Sequence, residues 1–288
     1  ATAPSFTPHA GAAPATSQVL AQARYEFKLV MRNGEQLLLT LIIPLFLLIG
    51  LTYMPFIKGD DQPRISVVVP GIIALAVMST AFTAQAISIG FDRRYGVLKL
   101  LGVTPLSRLR LLVSKTCTIL AIEAIQLVLI LVVAAGLGWR PGGNPVAALI
   151  LILLGTASFS ALSFALAGIL RAEATLAAAN AIYLILLLAG GTVIPREQLP
   201  GWLGTFGEFL PSGALGNGLR DVMAGEAGIP LVSVVVLILW GAAGAAIAHR
   251  TANSAMQSAL PAGCYSLCQH AAPLSQSCPP CAVCSSTY

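Results

Sequence analysis

Polarity changes along this chain in long blocks. Uncharged or nearly uncharged apolar runs occupy residues 37–57, 65–91, 116–139, 144–170, 174–191 and 229–248, with more polar connections between them. A helix needs about 20 apolar residues to cross roughly 30 Å of hydrocarbon, and a span must satisfy its backbone hydrogen bonds internally. The blocks therefore predict an all-α integral membrane fold with six transmembrane helices. Strands of an outer-membrane barrel run near ten residues with alternating polarity, and these blocks have neither property. Pro44 lies inside the first block and predicts a kink there.

Ahead of the first block the pattern is different. Residues 1–16 are rich in Ala, Pro and Thr and lack the basic and apolar regions of a signal peptide, which predicts a disordered tail. From Ser17, Val19, Leu20, Ala23, Phe27, Val30 and Met31 recur at helical spacing, while Arg24, Lys28 and Arg32 repeat every fourth residue beside them. This predicts an amphipathic helix lying in the headgroup plane, in contact with membrane lipids. Topological anchoring and contact with a partner both fit it.

Composition sets the same class: 57% hydrophobic residues, 9% charged residues and a mean hydropathy of +0.85 exclude a soluble globule of this length. The net charge of +5 carries topology. Eleven Lys and Arg fall on one side of the predicted spans and five on the other, the five being Lys58, Arg64, Arg140, Arg196 and Arg220. Basic residues resist translocation, so both termini are predicted in the cytoplasm of a multi-pass plasma (inner) membrane protein, and the charge calls for no nucleic-acid partner.

Six of the sixteen basic residues lie in 91–115, FDRRYGVLKLLGVTPLSRLRLLVSK. On a helix, Phe91, Tyr95, Leu98 and Leu101 share one stripe, with Asp92, Arg93 and Lys99 away from it. Gly102 and Pro105 then predict a break before the chain re-enters the third span. A positive loop that only sets topology and a docking element for a partner both fit this pattern.

The stretch resembles the segment between the second and third spans of ABC-2 type permeases, the membrane subunits of type V exporters related to bacterial daunorubicin-resistance permeases. The matching positions are Asp92, Arg93, Arg94, Tyr95, Gly96, Val97, Leu98, Leu101, Thr104 and Pro105. The resemblance implies a cytoplasmic coupling helix that docks on a nucleotide-binding subunit. A second match lies in LLLAGGTVIPREQLPGWLGTFGEFLPSGALGNGLRDVMAG. Gly190, Gly191, Pro195, Leu199, Pro200, Trp202, Pro211 and Arg220 follow the pattern of the family's external re-entrant hairpin. Ile194 stands where an aromatic often precedes the Pro, and residues 213–215 lack the usual polar side chains, which weakens inference about substrate. The prolines interrupt helix and the rings of Trp202, Phe206 and Phe209 suit an interface, so this segment is expected at the outer surface without crossing. The resemblance covers about residues 17–254.

It implies an exporter permease for a hydrophobic or amphipathic substrate such as a drug, antibiotic or lipid, working as a pair of permease copies or paralogues with an ABC ATPase subunit. The sequence has no G-x-x-x-x-G-K-[ST] motif to cradle phosphates, so ATP and Mg²⁺ are expected on the partner, with no cofactor on this chain. An autonomous secondary transporter would usually show inverted repeats and more intramembrane charge. An integral membrane enzyme would need paired catalytic side chains at membrane depth, and the His residues at 9, 249 and 270 lie outside the spans.

Glu123 is the one charge within the predicted spans. It lies seven residues into its block, about 10 Å along a helix, where lining a pathway and structural pairing both fit. Gln126 would share its face, and Gln85 and Asn180 read as interhelical glue. The run GAAGAA in the last span predicts close helix packing. Residues 255–288 carry Cys264, Cys268, Cys278, Cys281 and Cys284 in a Ser/Pro/Ala-rich context without apolar periodicity. That predicts a disordered tail and no metal site.

Overall fold

The structure is a computed structural model that describes residues 14–53, 64–96, 108–140, 142–192, 206–225 and 230–257. Of the predicted tails 1–16 and 255–288, residues 1–13 and 258–288 lie outside those residues, as do Val97, Leu98, Leu101, Thr104, Pro105, Pro195, Leu199, Pro200 and Trp202, while Ala15, Thr16 and residues 255–257 are helical and correct the tail bounds. Among the described residues every regular element is helical: α1 (Ala15–Arg32), α2 (Gly34–Tyr53), α3 (Arg64–Val77), a π-helical segment (Met78–Ala84), α4 (Gln85–Arg94), α5 (Arg108–Gly136), α6 (Pro145–Ile169), α7 (Ala172–Ala189), α8 (Pro211–Ala224) and α9 (Leu231–Gln257).

Among the described residues five runs are long and apolar enough to cross a membrane: Arg64–Arg94, Arg110–Gly136, Pro145–Ile169, Ala172–Ala189 and Leu231–Thr251. The first predicted span appears as α2, whose apolar described part, Thr40–Tyr53, is shorter, and Pro44 sits inside it. The second predicted span is one rod of α3, the π segment and α4. It is the most buried rod, with Val69, Ile72, Ile73, Leu75, Met78 and Ala81 almost fully enclosed by its neighbours. The third span begins at Arg108, eight residues before the predicted start, because RLRLLVSK is helical too.

Local chemistry sets the ends. Asn144 caps α6, its Oδ1 accepting from the N–H groups of Val146 (3.0 Å) and Ala147 (3.4 Å), and Pro145 occupies the first turn, where no N–H is needed. Pro211 opens α8 in the same way, and Gly225 ends it in the left-handed conformation at φ 80°. The predicted helix from Phe91 through Leu101 stops earlier than expected: α4 ends at Arg94, and Gly96 turns the chain at φ 72°. Its N–H reaches Arg93 O (3.2 Å) and that of Tyr95 reaches Phe91 O (2.9 Å), so Gly96 terminates α4, while Gly102 lies outside the described residues. The Phe91 and Tyr95 rings stack at 6.1 Å, one helical turn apart.

The GAAGAA run packs as expected. A Cβ on Gly244 would stand 2.8 Å from Leu162 N, and one on Gly241 3.3 Å from Ser158, so α9 presses its backbone onto α6. The second arm of the predicted hairpin departs from the sequence reading. Helix α8 is buried among α3, α6 and α9, with Leu215 and Leu219 fully enclosed. Its start meets the bundle at depth: Trp240, nine residues into α9, donates to Phe209 O (2.8 Å), and Leu215 packs on Gly155, ten residues into α6. Its end meets Gly142 and Gly143 in the α5–α6 connection. The helix therefore rises from roughly 14 Å inside the bundle to its surface, and small residues at Gly213, Gly216 and Gly218 let it fit.

Candidate functional site: the basic end of the bundle

The ends of α1 and α4 and the beginnings of α2 and α5 lie on one side of the bundle, the side that carries most of the basic residues. There α1 packs along the start of α5. Ala23 is its buried contact, and Thr118 Oγ1 donates to Ala23 O (3.2 Å). The face of α1 turned inward is Gln22, Ala23, Glu26, Phe27 and Val30, not the purely apolar stripe predicted, and Leu20 is 71% exposed. Arg24, Lys28 and Arg32 point away from the bundle, while Phe27 is half-buried. A charged side chain in the inward face tolerates burial only if paired, and Glu26 is.

Its partner is Lys115, which the sequence offered only as a topology charge. The Lys115 ammonium, 8% exposed, lies 2.7 Å from Asp92 Oδ2 at the end of α4 and 3.3 Å from Glu26 Oε1. Gln22 Nε2 also donates to Glu26 Oε1 (2.9 Å), and Arg110 to Gln18 Oε1 (3.0 Å). One lysine thus joins the two arms flanking 97–107 and the helix lying across them.

The two arginines after Asp92 reach the other way. Arg93 Nη1 donates to the carbonyls of Ala167 (2.5 Å) and Gly168 (2.9 Å), which are orphan acceptors at the end of α6. Arg94 pairs with Glu173 in the first turn of α7. Asp92, Arg93 and Arg94, matched to a docking segment by resemblance, therefore hold contacts within this chain. Tyr95 is 73% exposed beside Gly96.

Deeper in the bundle, Glu123 stands fifteen residues into α5, about 22 Å along its axis, and so lies mid-helix, not near an end as the sequence blocks implied. It is buried. Thr80 Oγ1 lies 3.0 Å from its Oε1 and Thr156 Oγ1 2.6 Å from its Oε2, so the carboxyl joins the π segment to α6. Both threonines also reach a carbonyl one turn back, Ala76 O and Ile152 O, each at 2.9 Å, and their hydroxyls can turn between acceptors. Gln126 Nε2 donates to Thr40 O of α2 (2.9 Å). Gln85 is buried with neither amide atom partnered among the described residues. Asn180 is not glue: it is exposed and donates to Leu176 O of its own helix.

At the opposite end Arg220 is a partly buried charge, which an outer-loop position did not predict. It donates to Gly191 O (3.0 Å) and Thr192 O (2.5 Å) after α7, and a Cβ on Gly71 of α3 would lie 2.3 Å from that Thr192 oxygen. Among the described residues no three His, Cys, Asp or Glu side chains converge as metal ligands.

Residues 17–224, from α1 through the end of α8, match the ABC-2 type transporter family. The chain belongs to that family. The ABC-2 segment so defined includes the whole basic-end frame, Glu123 and the buried α8. The chain is also 24% identical over 213 residues to YvfS of Bacillus subtilis (strain 168), named a transport permease; the match covers 71% of this chain and 84% of that protein. This ABC-2 protein is accordingly a multi-pass membrane component of transport.

Proposed function

We propose that this chain is the permease subunit of an ATP-driven exporter, with the basic end in the cytoplasm of the plasma membrane and the segment 97–107 docking on a separate ATPase. The observation that carries the reading is the frame beneath that segment. Lys115 ties its two arms to α1, and Arg93 and Arg94 tie the same place to α6 and α7. A push on 97–107 therefore acts on five helices together, as a rigid-body transmission requires. The majority of Lys and Arg on this side supports its cytoplasmic placement.

ATP and Mg²⁺ belong to the partner, and two permease chains with two ATPase subunits complete the pathway. Outward apolar side chains such as Phe46, Leu188 and Leu239 suit lipid or a second copy, and the cargo is hydrophobic or amphipathic. The test is purification in mild detergent with identification of the bound soluble subunit, followed by reconstitution. Leu98→Asp is expected to abolish substrate-stimulated ATP hydrolysis while membrane insertion stays intact. Unaltered stimulation in that variant, or transport by the permease chain alone in sealed vesicles, overturns the reading.

A further inference from the structure

Between α1, the π segment, α4 and α5 lies a cavity of about 220 Å³. It runs from Asp92 at the basic end to Thr80, twelve residues up the same rod, or about 18 Å. Its mouth carries Glu26, Asp92 and Lys115, two carboxylates against one ammonium, so one negative charge is left over. A carboxylate offers about four lone-pair sites, more than the donors named here occupy. Farther in, Gln85 lines the wall at 2% exposure with both Nε2 and Oε1 unpartnered. Buried amides are almost always hydrogen-bonded, so these two atoms point to a polar guest. Tyr25, Leu29, Ile119 and Ile122 give the wall apolar surface, interspersed with the hydroxyls of Thr80, Ser88 and Thr118. The volume is below the roughly 300–1,000 Å³ of sites for drug-sized ligands, so it suits a head and the first methylenes of a chain.

We infer that this cavity binds an amphiphile whose head carries an ammonium and, within a few bonds, an oxygen. The ammonium lies beside the Asp92 and Glu26 carboxylates, on lone pairs that Lys115 leaves free; farther in, Gln85 Nε2 donates to the oxygen; the tail follows Ile119 and Ile122. Amino alcohols and phosphoethanolamine lipids share this chemistry. The site does not depend on an ATPase, so it stands or falls apart from the exporter reading.

The test is native mass spectrometry on the purified full-length chain in detergent, counting adducts of 2-aminododecan-1-ol against dodecane-1,2-diol, which replaces the ammonium by a hydroxyl. At least tenfold weaker binding of the diol is expected. Gln85→Leu should weaken the amine at least tenfold, Leu184→Ala on the exposed face of α7 should leave it unchanged, and Gln85→Glu should tighten it, an outcome misfolding does not mimic. Displacement by phosphatidylethanolamine but not phosphatidylcholine assigns the site to a lipid head. No displacement by either assigns it to a free amphiphile. Equal binding of amine and diol, or wild-type binding in both Gln85 variants, overturns the inference.

Discussion

At the basic end, helix termini meet through charged side chains, Lys115 with Asp92 and Glu26, and Arg93 with the last carbonyls of α6. At the far end, α8 is held by backbone against backbone, with Gly143 facing Val222 O and Gly213 facing Gly207 O. Long charged side chains can lengthen, turn and exchange a partner for water. A carbonyl pressed on a glycine has no such latitude, because one added carbon would occupy its place. The charged contacts can therefore adjust without untying the helices they join, whereas the close backbone contacts of α8 resist even small displacement.

The contrast orders the expected effects of substitution. The largest falls at the far end. Gly143→Ala would put a Cβ 1.7 Å from Val222 O, and Gly213→Ala one 2.1 Å from Gly207 O and 2.8 Å from Gly190 O. Each should cost more than about 3 kcal/mol and deplete folded protein, read as loss of the monodisperse peak in detergent chromatography. Normal yield and melting temperature would show that α8 shifts freely. Next comes Lys115→Met, which strands two largely buried carboxylates and should cost about 2–4 kcal/mol. A double-mutant cycle with Asp92→Asn measures it: the second change should restore much of the loss, and strict additivity would sever the link between α4 and α5.

Smaller effects sharpen the comparison. Arg94→Ala breaks a pair whose side chains are 50% and 65% exposed, so stability should fall by less than about 1 kcal/mol, and the loss should vanish at high salt. A large salt-insensitive loss would make that contact part of the core. Smallest is Gly50→Ala in α2, where a Cβ meets nothing within 4 Å; a gain of up to about 0.5–1 kcal/mol in the thermal melt is expected.

Much of this architecture was legible in the sequence because hydropathy reports each residue's own preference. Five long spans, the helix of α1 and the close seat of α9 on α6 all follow from such local patterns. What escaped depends on pairs. Lys115 reads as one more positive charge until Glu26 and Asp92 are placed beside it. Arg220 reads as a loop residue until α8 turns into the bundle and brings it to the end of α7. The end of α4 at Arg94 was not legible because an apolar period continues across Gly96, whose positive φ turns the chain. Gln85 was visible as a polar residue in a span, but its missing partners were not, since only a packed neighbourhood shows that nothing answers it.

The π segment Met78–Ala84 sets the angle between the two halves of the most enclosed rod. A π turn accommodates an extra residue, and each residue advances an α-helix by about 100°. Forcing the same seven residues into an uninterrupted α spiral would swing Asp92 about a quarter-turn away from Lys115 while Gly71 kept its place against Thr192, and deleting one of them would bring Asp92 back close to its present direction. The wide turn thus works like the offset in a crankshaft, letting one continuous rod address two different sets of neighbours.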